Sequence, residues 1–188
     1  KLVDTSDEWI KSRVGINQRH VVSDGEASSD MSTKVAHSLL EKRGISAANI
    51  DVIIIGTVTP DHPTPSTAAI VQNNINAENA WAFDLSAACS GFLYALETGA
   101  KFIESGQYKT IMVIGVDTMT SILDFEDRET CIIFGDGAGG VILEASKSNT
   151  GILGSVLKTD GSGAESLNVL AGGSKYPASP TTIKNRQH

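Results

Sequence analysis

The sequence has little cysteine and no long apolar run, and each scarcity excludes a class of protein. Two cysteines among 188 residues exclude a disulfide framework, so a reducing cytoplasm is the expected compartment. No apolar run is long enough to span a bilayer and no signal peptide is visible, so we expect no membrane partner. The length instead fits one domain of ordinary size with a real core.

Positive charge and metal-ligand patterns are also scarce. The formal net charge is −7 and is spread along the chain, which disfavours a nucleic-acid partner because such a field repels phosphate. The four histidines show no metal-ligand spacing and no Cys-x-x-Cys pair is present, so we expect no metal; these histidines are His20, His37, His62 and His188.

What the sequence does contain is an alternation of helix and strand patterns, which favours a mostly parallel sheet of the α/β class. Residues 29–43 predict a helix capped by Ser29 or Asp30 and ended by Gly44. The run "DVIIIGTVT" predicts a strand covered on both faces. Further strands are predicted at "WAFDL", "TIMVIGVD", "CIIF" and "GVILEA", and further helices from near Ser66 and over "CSGFLYALETGAKFIESG".

The glycine-rich run "GDGAGG" is interpreted as a tight turn between the last two of these strands. Because a strand follows these glycines, they do not match a dinucleotide fingerprint, and a Walker pattern is also missing. The short connection favours an antiparallel final strand. From about Lys147 the chain predicts loop, with one short strand at "GILGSVL".

Cys89 is the residue that most suggests chemistry. It follows a strand ending at Leu85 and a turn of small residues, and it opens a helix. A helix N-terminus stabilises an anion, so a thiol there is expected to shift toward the nucleophilic thiolate, which can form a thioester. On spacing alone, a buried structural cysteine is the more common interpretation, and it is the one we give Cys131. Asp84 is interpreted as a cap for the turn that follows its strand.

Three motifs occur in order: "DTSDEWIKSRVGINQRH", "AFDLSAACSGFLYAL" and "FGDGAGGVILEAS". With these motifs in this order and at these separations, the chain resembles β-ketoacyl-acyl-carrier-protein synthase III, from residue 1 to about residue 146 and more loosely beyond. The resemblance implies a thiolase-like layered fold, with a mixed five-stranded sheet and helices on both faces. It implies that residues 1–146 are the N-terminal one of two similar halves, without the opening strand, and that 147–188 lead toward the second half.

The resemblance also implies an activity. Family members are homodimeric, cytoplasmic condensing enzymes that begin bacterial type II fatty-acid synthesis. An acyl group passes from acyl-coenzyme A to the cysteine, here Cys89, and condenses with malonyl-acyl carrier protein, releasing carbon dioxide. Acyl-coenzyme A is a substrate, so no cofactor is expected. The family's catalytic histidine and asparagine belong to the second half, and no histidine here matches their motifs.

Other residues match the family's substrate sites by motif. Trp9 and Arg128 match the pair that sandwiches the adenine of coenzyme A, which suits an indole and a guanidinium. Arg13 matches a phosphate-contacting arginine and Thr5 a residue near the adenine. Phe134, at the end of the predicted strand "CIIF", matches an aromatic near the acyl pocket. Thr64 lies in "PTPSTAA", the segment that approaches the partner's active site, and replaces a bulkier residue of some members.

The sequence also bears on other functions for this fold. A hydroxymethylglutaryl-coenzyme A synthase needs a catalytic glutamate upstream of the cysteine, and residues 51–77 contain none. A starter synthase of secondary metabolism keeps the same motifs and stays open. A non-catalytic protein or fragment of thiolase fold, with a buried Cys89, also stays open.

Overall fold

The computed structural model describes residues 3–148 and 150–188, which fall into two compact units. The sheet unit comprises residues 22–118 and 136–156, and the second unit comprises residues up to 21, 119–135 and 157–188. The predicted boundary after residue 146 concerns the halves of the family and stays a prediction. No helix in the described ranges has both the length and the apolarity needed to cross a membrane.

The helices and strands follow one another along the chain as α1 (Asp7–Val14), α2 (Ser28–Arg43), β1 (Val52–Gly56), α3 (Thr67–Asn74), β2 (Trp81–Leu85), α4 (Gly91–Glu104), β3 (Thr110–Thr118), α5 (Arg128–Cys131), β4 (Asp136–Glu144) and α6 (Pro180–Lys184). Short 3₁₀ turns lie at Ala47–Asn49, Ala88–Ser90, Met119–Ser121 and Gly161–Gly163.

The sheet has the strand order β2-β1-β3-β4. β1 is parallel to both β2 and β3, and β4 is antiparallel to β3, which confirms a mixed sheet with an antiparallel final strand. Within the described residues the sheet has four strands, where the family resemblance implies five.

Helices cover both faces of the sheet, as predicted. Alternate residues of β1 point to opposite faces. Ile53 and Ile55 pack in one core with residues of α2 and α3, while Val52 and Ile54 pack in a second core with Ala95 of α4. All five residues of β1 are buried, which is why their sequence is a continuous apolar run.

The predicted helix over 29–43 is confirmed with one difference at its start. The N-cap is Ala27, whose N–H donates to the Asp30 carboxylate at 2.8 Å, so Asp30 caps from the third helical position. Gly44 ends the helix in the left-handed region, at φ 69°, where glycine is favoured.

The strand predicted at "CIIF" is wrong. Asp127 accepts hydrogen bonds from the Glu129 N–H and the Thr130 hydroxyl, which cap α5 and lower the pKa of Asp127. The chain is therefore helical through Cys131 and turns at Ile132. Cys131 ends a helix rather than beginning a strand, and Phe134 lies in the loop before β4.

The turn predicted at "GDGAGG" is also wrong, because residues 136–140, all but the first of this run, form the first part of β4. They pair with β3 from Thr118 to Ile114. A Cβ on Gly140 would lie 2.7 Å from the Val113 carbonyl oxygen, so this position needs glycine for the two strands to pair. The strand predicted at "GILGSVL" is not formed by residues 151–157.

Candidate active site

Cys89 lies in a tight connection between β2 and α4. β2 ends at Leu85, a 3₁₀ turn covers Ala88–Ser90, and α4 begins at Gly91. Ala88 has φ 46°, a left-handed conformation that is uncommon for a residue with a Cβ and recurs at functional sites. The thiol of Cys89 is exposed rather than buried. The predicted strand, turn and helix are therefore confirmed, with helical structure entered through a 3₁₀ turn.

Two glycines let the start of α4 lie directly against β1. A Cβ on Gly56 would stand 2.6 Å from the carbonyl carbon of Gly91 and 2.9 Å from the Phe92 nitrogen. Gly91 itself is buried. This backbone contact fixes the first turn of α4, and with it Cys89, against the carboxyl end of the central strand.

A cavity of about 530 Å³ opens at this carboxyl edge, beside β1 and β2. Its lining combines apolar and polar groups: Thr57, Val58, Pro60, His62, Pro63, Ser66, Phe83, Asp84 and Ser86. Ligand sites of parallel sheets commonly lie at this edge. Thr64 belongs to the same loop between β1 and α3 and is exposed, and it is not among the lining residues.

Asp84 ties the loop to the strand that leads to Cys89. Its two carboxylate oxygens accept from the N–H groups of Thr67 at 2.7 Å and Ala68 at 2.8 Å, at the start of α3. The interpretation of Asp84 as a cap for the following turn is therefore wrong, because it caps a helix that precedes it in the chain. Beside it, the Thr57 N–H donates to the Leu85 carbonyl oxygen at 3.2 Å.

Asp117 holds the other end of the same loop. One of its carboxylate oxygens accepts from the Val58 N–H at 2.8 Å, the Thr59 N–H at 3.2 Å and the hydroxyls of Thr57 and Thr59. Asp117 belongs to none of the motifs that mark candidate site residues in the sequence. The available signal was its position at the end of a buried strand, the same position that Asp84 has in "WAFDL".

In the second unit the structure brings Trp9 and Arg128 together. The guanidinium carbon of Arg128 lies 4.6 Å from the centre of the Trp9 ring, which is a cation–π contact. Trp9 is 39% exposed, so this stacked pair faces solvent. α1, which carries Trp9, begins at the Ser6 cap and ends at Gly15.

The remaining predicted residues of this unit have different surroundings. Arg13 is exposed one helical turn after Trp9. The Thr5 hydroxyl oxygen is buried and has no hydrogen-bond partner among the described residues. Phe134 is half-buried. Cys89 and Thr64 belong to the sheet unit, whereas Thr5, Trp9, Arg13, Arg128 and Phe134 belong to the second unit.

A family profile and a curated relative both match this chain. A family profile described as 3-oxoacyl-[acyl-carrier-protein (ACP)] synthase III matches residues 83–161, which include Cys89. The β-ketoacyl-[acyl-carrier-protein] synthase III of Chlorobaculum tepidum is 57% identical over 191 residues, covering 100% of this chain and 58% of that protein. The chain thus spans little more than half the length of this curated relative.

Solved structures of similar fold also come from β-ketoacyl-[acyl-carrier-protein] synthases and related ketosynthases. The crystal structure of 3-oxoacyl-[acyl-carrier-protein] synthase III from Aquifex aeolicus VF5 matches with a TM-score of 0.76 and 45% identity, over 78% of this chain and 47% of that one. The priming β-ketosynthase of the R1128 polyketide biosynthetic pathway matches with a TM-score of 0.76 and 35% identity, over 78% and 44%. The fold is thiolase-like, and the chain belongs to the β-ketoacyl-[acyl-carrier-protein] synthase III family.

Proposed function

We propose that the protein to which this chain belongs is a condensing enzyme that transfers an acyl group from acyl-coenzyme A to Cys89 and condenses it with malonyl-acyl carrier protein. The observation that carries the proposal is the exposed Cys89 at the strained turn before α4. The 14-residue helix α4 directs its first N–H groups and the positive end of its dipole toward this turn. That field favours an oxyanion that forms beside Cys89.

The proposed chemistry has two steps. The Cys89 thiolate attacks the thioester carbonyl carbon of acyl-coenzyme A and forms a new carbon–sulfur bond. The carbon–sulfur bond to coenzyme A breaks, and the coenzyme A thiolate leaves with the electron pair of that bond. Malonyl-acyl carrier protein then loses carbon dioxide, and the resulting carbanion attacks the Cys89 thioester. Cys89 leaves as thiolate, and the product is a β-ketoacyl-acyl carrier protein. By the family resemblance, the histidine and asparagine of this step belong to the second half of the protein.

The direct test of the first step is the intact mass of the protein after incubation with acetyl-coenzyme A. A gain of one acetyl group supports the proposal, and an unchanged mass contradicts it. A homodimer in the cytoplasm, with no resident cofactor, is part of the same proposal, and the family resemblance is what supports it.

Trp9 and Arg128 are proposed to hold the adenine of coenzyme A between them. A planar base needs a contact of about 3.5 Å on each face, so the two groups must stand about 7 Å apart. The guanidinium carbon of Arg128 lies 4.6 Å from the centre of the Trp9 ring, so the Arg128 side chain has to move away from the indole when the base enters. Arg13, on the same face of α1 as Trp9, is proposed to contact a phosphate, and the buried Thr5 hydroxyl to lie near the base.

Replacing Trp9 tests this adenine site. We expect Trp9→Ala to raise KM for acetyl-coenzyme A about tenfold, since stacking on a base contributes about 1–3 kcal/mol. KM for acetyl-pantetheine, which lacks the adenine, should not change. Arg128→Ala should behave in the same way, whereas Arg43→Ala, at an exposed arginine paired with Glu144, should leave both values unchanged. Equal KM increases for the two substrates would refute an adenine contact.

Thr64 is proposed to leave room in the acyl pocket. We expect Thr64→Phe to lower turnover of isobutyryl-coenzyme A relative to acetyl-coenzyme A by about tenfold, the scale set by one or two lost methylene-sized spaces. Thr64→Ser keeps the small side chain and should retain the wild-type ratio. The ratio of the two turnover rates is the measurement, and a Thr64→Phe enzyme with an unchanged ratio would show that Thr64 does not limit the pocket.

A starter synthase of secondary metabolism is the second candidate. The similarity to the R1128 priming β-ketosynthase favours it. Condensation assays with malonyl groups on carrier proteins from fatty-acid and polyketide systems separate the two, because each synthase should prefer its own carrier protein.

A further inference from the structure

The loop at residues 57–66, between β1 and α3, is held by carboxylates from two other strands. Asp117 of β3 accepts four hydrogen bonds from Thr57, Val58 and Thr59 at its start. Asp84 of β2 accepts the first two N–H groups of α3 at its end. Between these points Asp61 of the loop accepts from the N–H of Ser29 at 2.9 Å and from its hydroxyl at 2.6 Å. The loop is therefore fixed at three points along its length.

The same loop lines one side of the cavity and carries Thr64, so the position of the loop decides the shape of the cavity at the carboxyl edge of the sheet. Asp84 lies on the strand that leads into the Cys89 turn, and the Leu85 carbonyl next to it accepts the Thr57 N–H. Loss of the Asp84 hydrogen bonds would therefore let the loop shift relative to β2, the strand that leads into the Cys89 turn. Thr67 and Ala68 are fully buried, so in the folded protein their N–H groups depend on the Asp84 carboxylate for hydrogen bonds.

We propose that Asp84 and Asp117 are positioning residues for the acylation of Cys89, acting by holding the 57–66 loop at the edge of the cavity. This inference rests on the proposed function. The two carboxylates touch no reacting atom in this role. They reduce the number of conformations that the loop adopts, so that the acyl-accepting site is already arranged when substrate arrives.

Asp51 provides a matched control at the opposite end of the sheet. Its carboxylate accepts from the N–H groups of Lys109 at 2.7 Å and Thr110 at 3.0 Å, at the start of β3. Asp51 is half-buried, as are Asp84 and Asp117. Asp51→Ala therefore removes the same kind and number of bonds as Asp84→Ala, but far from the loop.

The experiment compares wild type, Asp84→Ala, Asp117→Ala and Asp51→Ala by thermal melting, by amide hydrogen exchange and by steady-state turnover of acetyl-coenzyme A in the presence of malonyl-acyl carrier protein. We expect all three variants to melt at lower temperature. In Asp84→Ala and Asp117→Ala the amides of residues 57–68 should exchange faster, and kcat should fall about 10- to 100-fold with KM for acetyl-coenzyme A retained. Asp51→Ala should keep wild-type exchange in that segment and wild-type kcat.

Several results would overturn the inference. One is an equal fall of kcat in Asp51→Ala, which would show that lost stability alone explains the effect. Another is an unchanged rate of amide hydrogen exchange in residues 57–68 of Asp84→Ala. That result would show that Asp84 does not hold the loop, whatever the value of kcat. Should Asp84→Ala fail to fold, Asp84→Asn keeps one acceptor oxygen and should show a smaller change of the same pattern. A wild-type protein that is never acylated refutes the proposed function, while the exchange data still decide whether the carboxylates hold the loop.

Discussion

Cys89→Ala should gain no acetyl mass from acetyl-coenzyme A, and its condensing activity should fall by roughly 10⁴-fold or more, the scale at which loss of a covalent nucleophile acts. The alanine removes the sulfur that forms the acyl-enzyme bond. The side chain is exposed, so its replacement leaves no cavity, and the melting temperature should stay close to that of wild type. Intact mass spectrometry and a condensation assay are the two measurements.

Cys131→Ala is the matched control, since Cys131 is the second free cysteine and lies at the end of α5. It should still take up one acetyl group. Acetylation that persists in Cys89→Ala and disappears in Cys131→Ala would reverse the assignment. The same pair separates an enzyme from a non-catalytic protein of this fold, because neither variant would differ from wild type if no acyl transfer occurs.

Gly56→Ala is expected to destabilise the protein by about 2–3 kcal/mol, as overpacking between rigid elements does. In a chain of this length that lowers the melting temperature by about 5–10 °C. The added Cβ would meet the backbone of Gly91 at 2.6 Å, and backbone cannot rotate away as a side chain can. α4 must therefore move from β1 and take the Cys89 turn with it. The rate of Cys89 alkylation by iodoacetamide should change together with the melting temperature.

Gly139→Ala tests whether the effect belongs to this contact. Gly139 is also a strand glycine of the sheet, but it is exposed and a Cβ there meets nothing within 4 Å. We expect its melting temperature and its Cys89 alkylation rate to match wild type. If Gly56→Ala melts like Gly139→Ala, the close approach of β1 and α4 contributes nothing to stability.

Local patterns in the sequence were sufficient for most of the fold. The buried run of β1, the five residues of β2 and the Ser66 cap of α3 all carry their signals within a few neighbouring residues. The error at "CIIF" has a local cause as well, since Asp127, four residues before Cys131, caps a short helix that runs into this segment. At "GDGAGG" the cause is distant: only pairing with β3 makes an extended glycine run stable.

The candidate site was predictable only in part, for the same reason. Cys89 could be located because strand, turn and helix follow each other in the chain. The partners of Asp84 could not, because Thr67 and Ala68 reach it only once β1 and β2 lie side by side. The roles of Thr5, Trp9, Arg13, Arg128, Phe134 and Thr64 came from the family resemblance and remain predictions.

The strand order has a consequence for how the protein is made. β1 lies between β2 and β3, so Val52 pairs with Trp81 on one side and with Ile111 on the other. Parallel pairing between such distant segments closes long loops and is slow. β1, β2 and Cys89 all precede β3 in the chain, so the sheet beneath the Cys89 turn is complete only after Thr110–Thr118 have joined it.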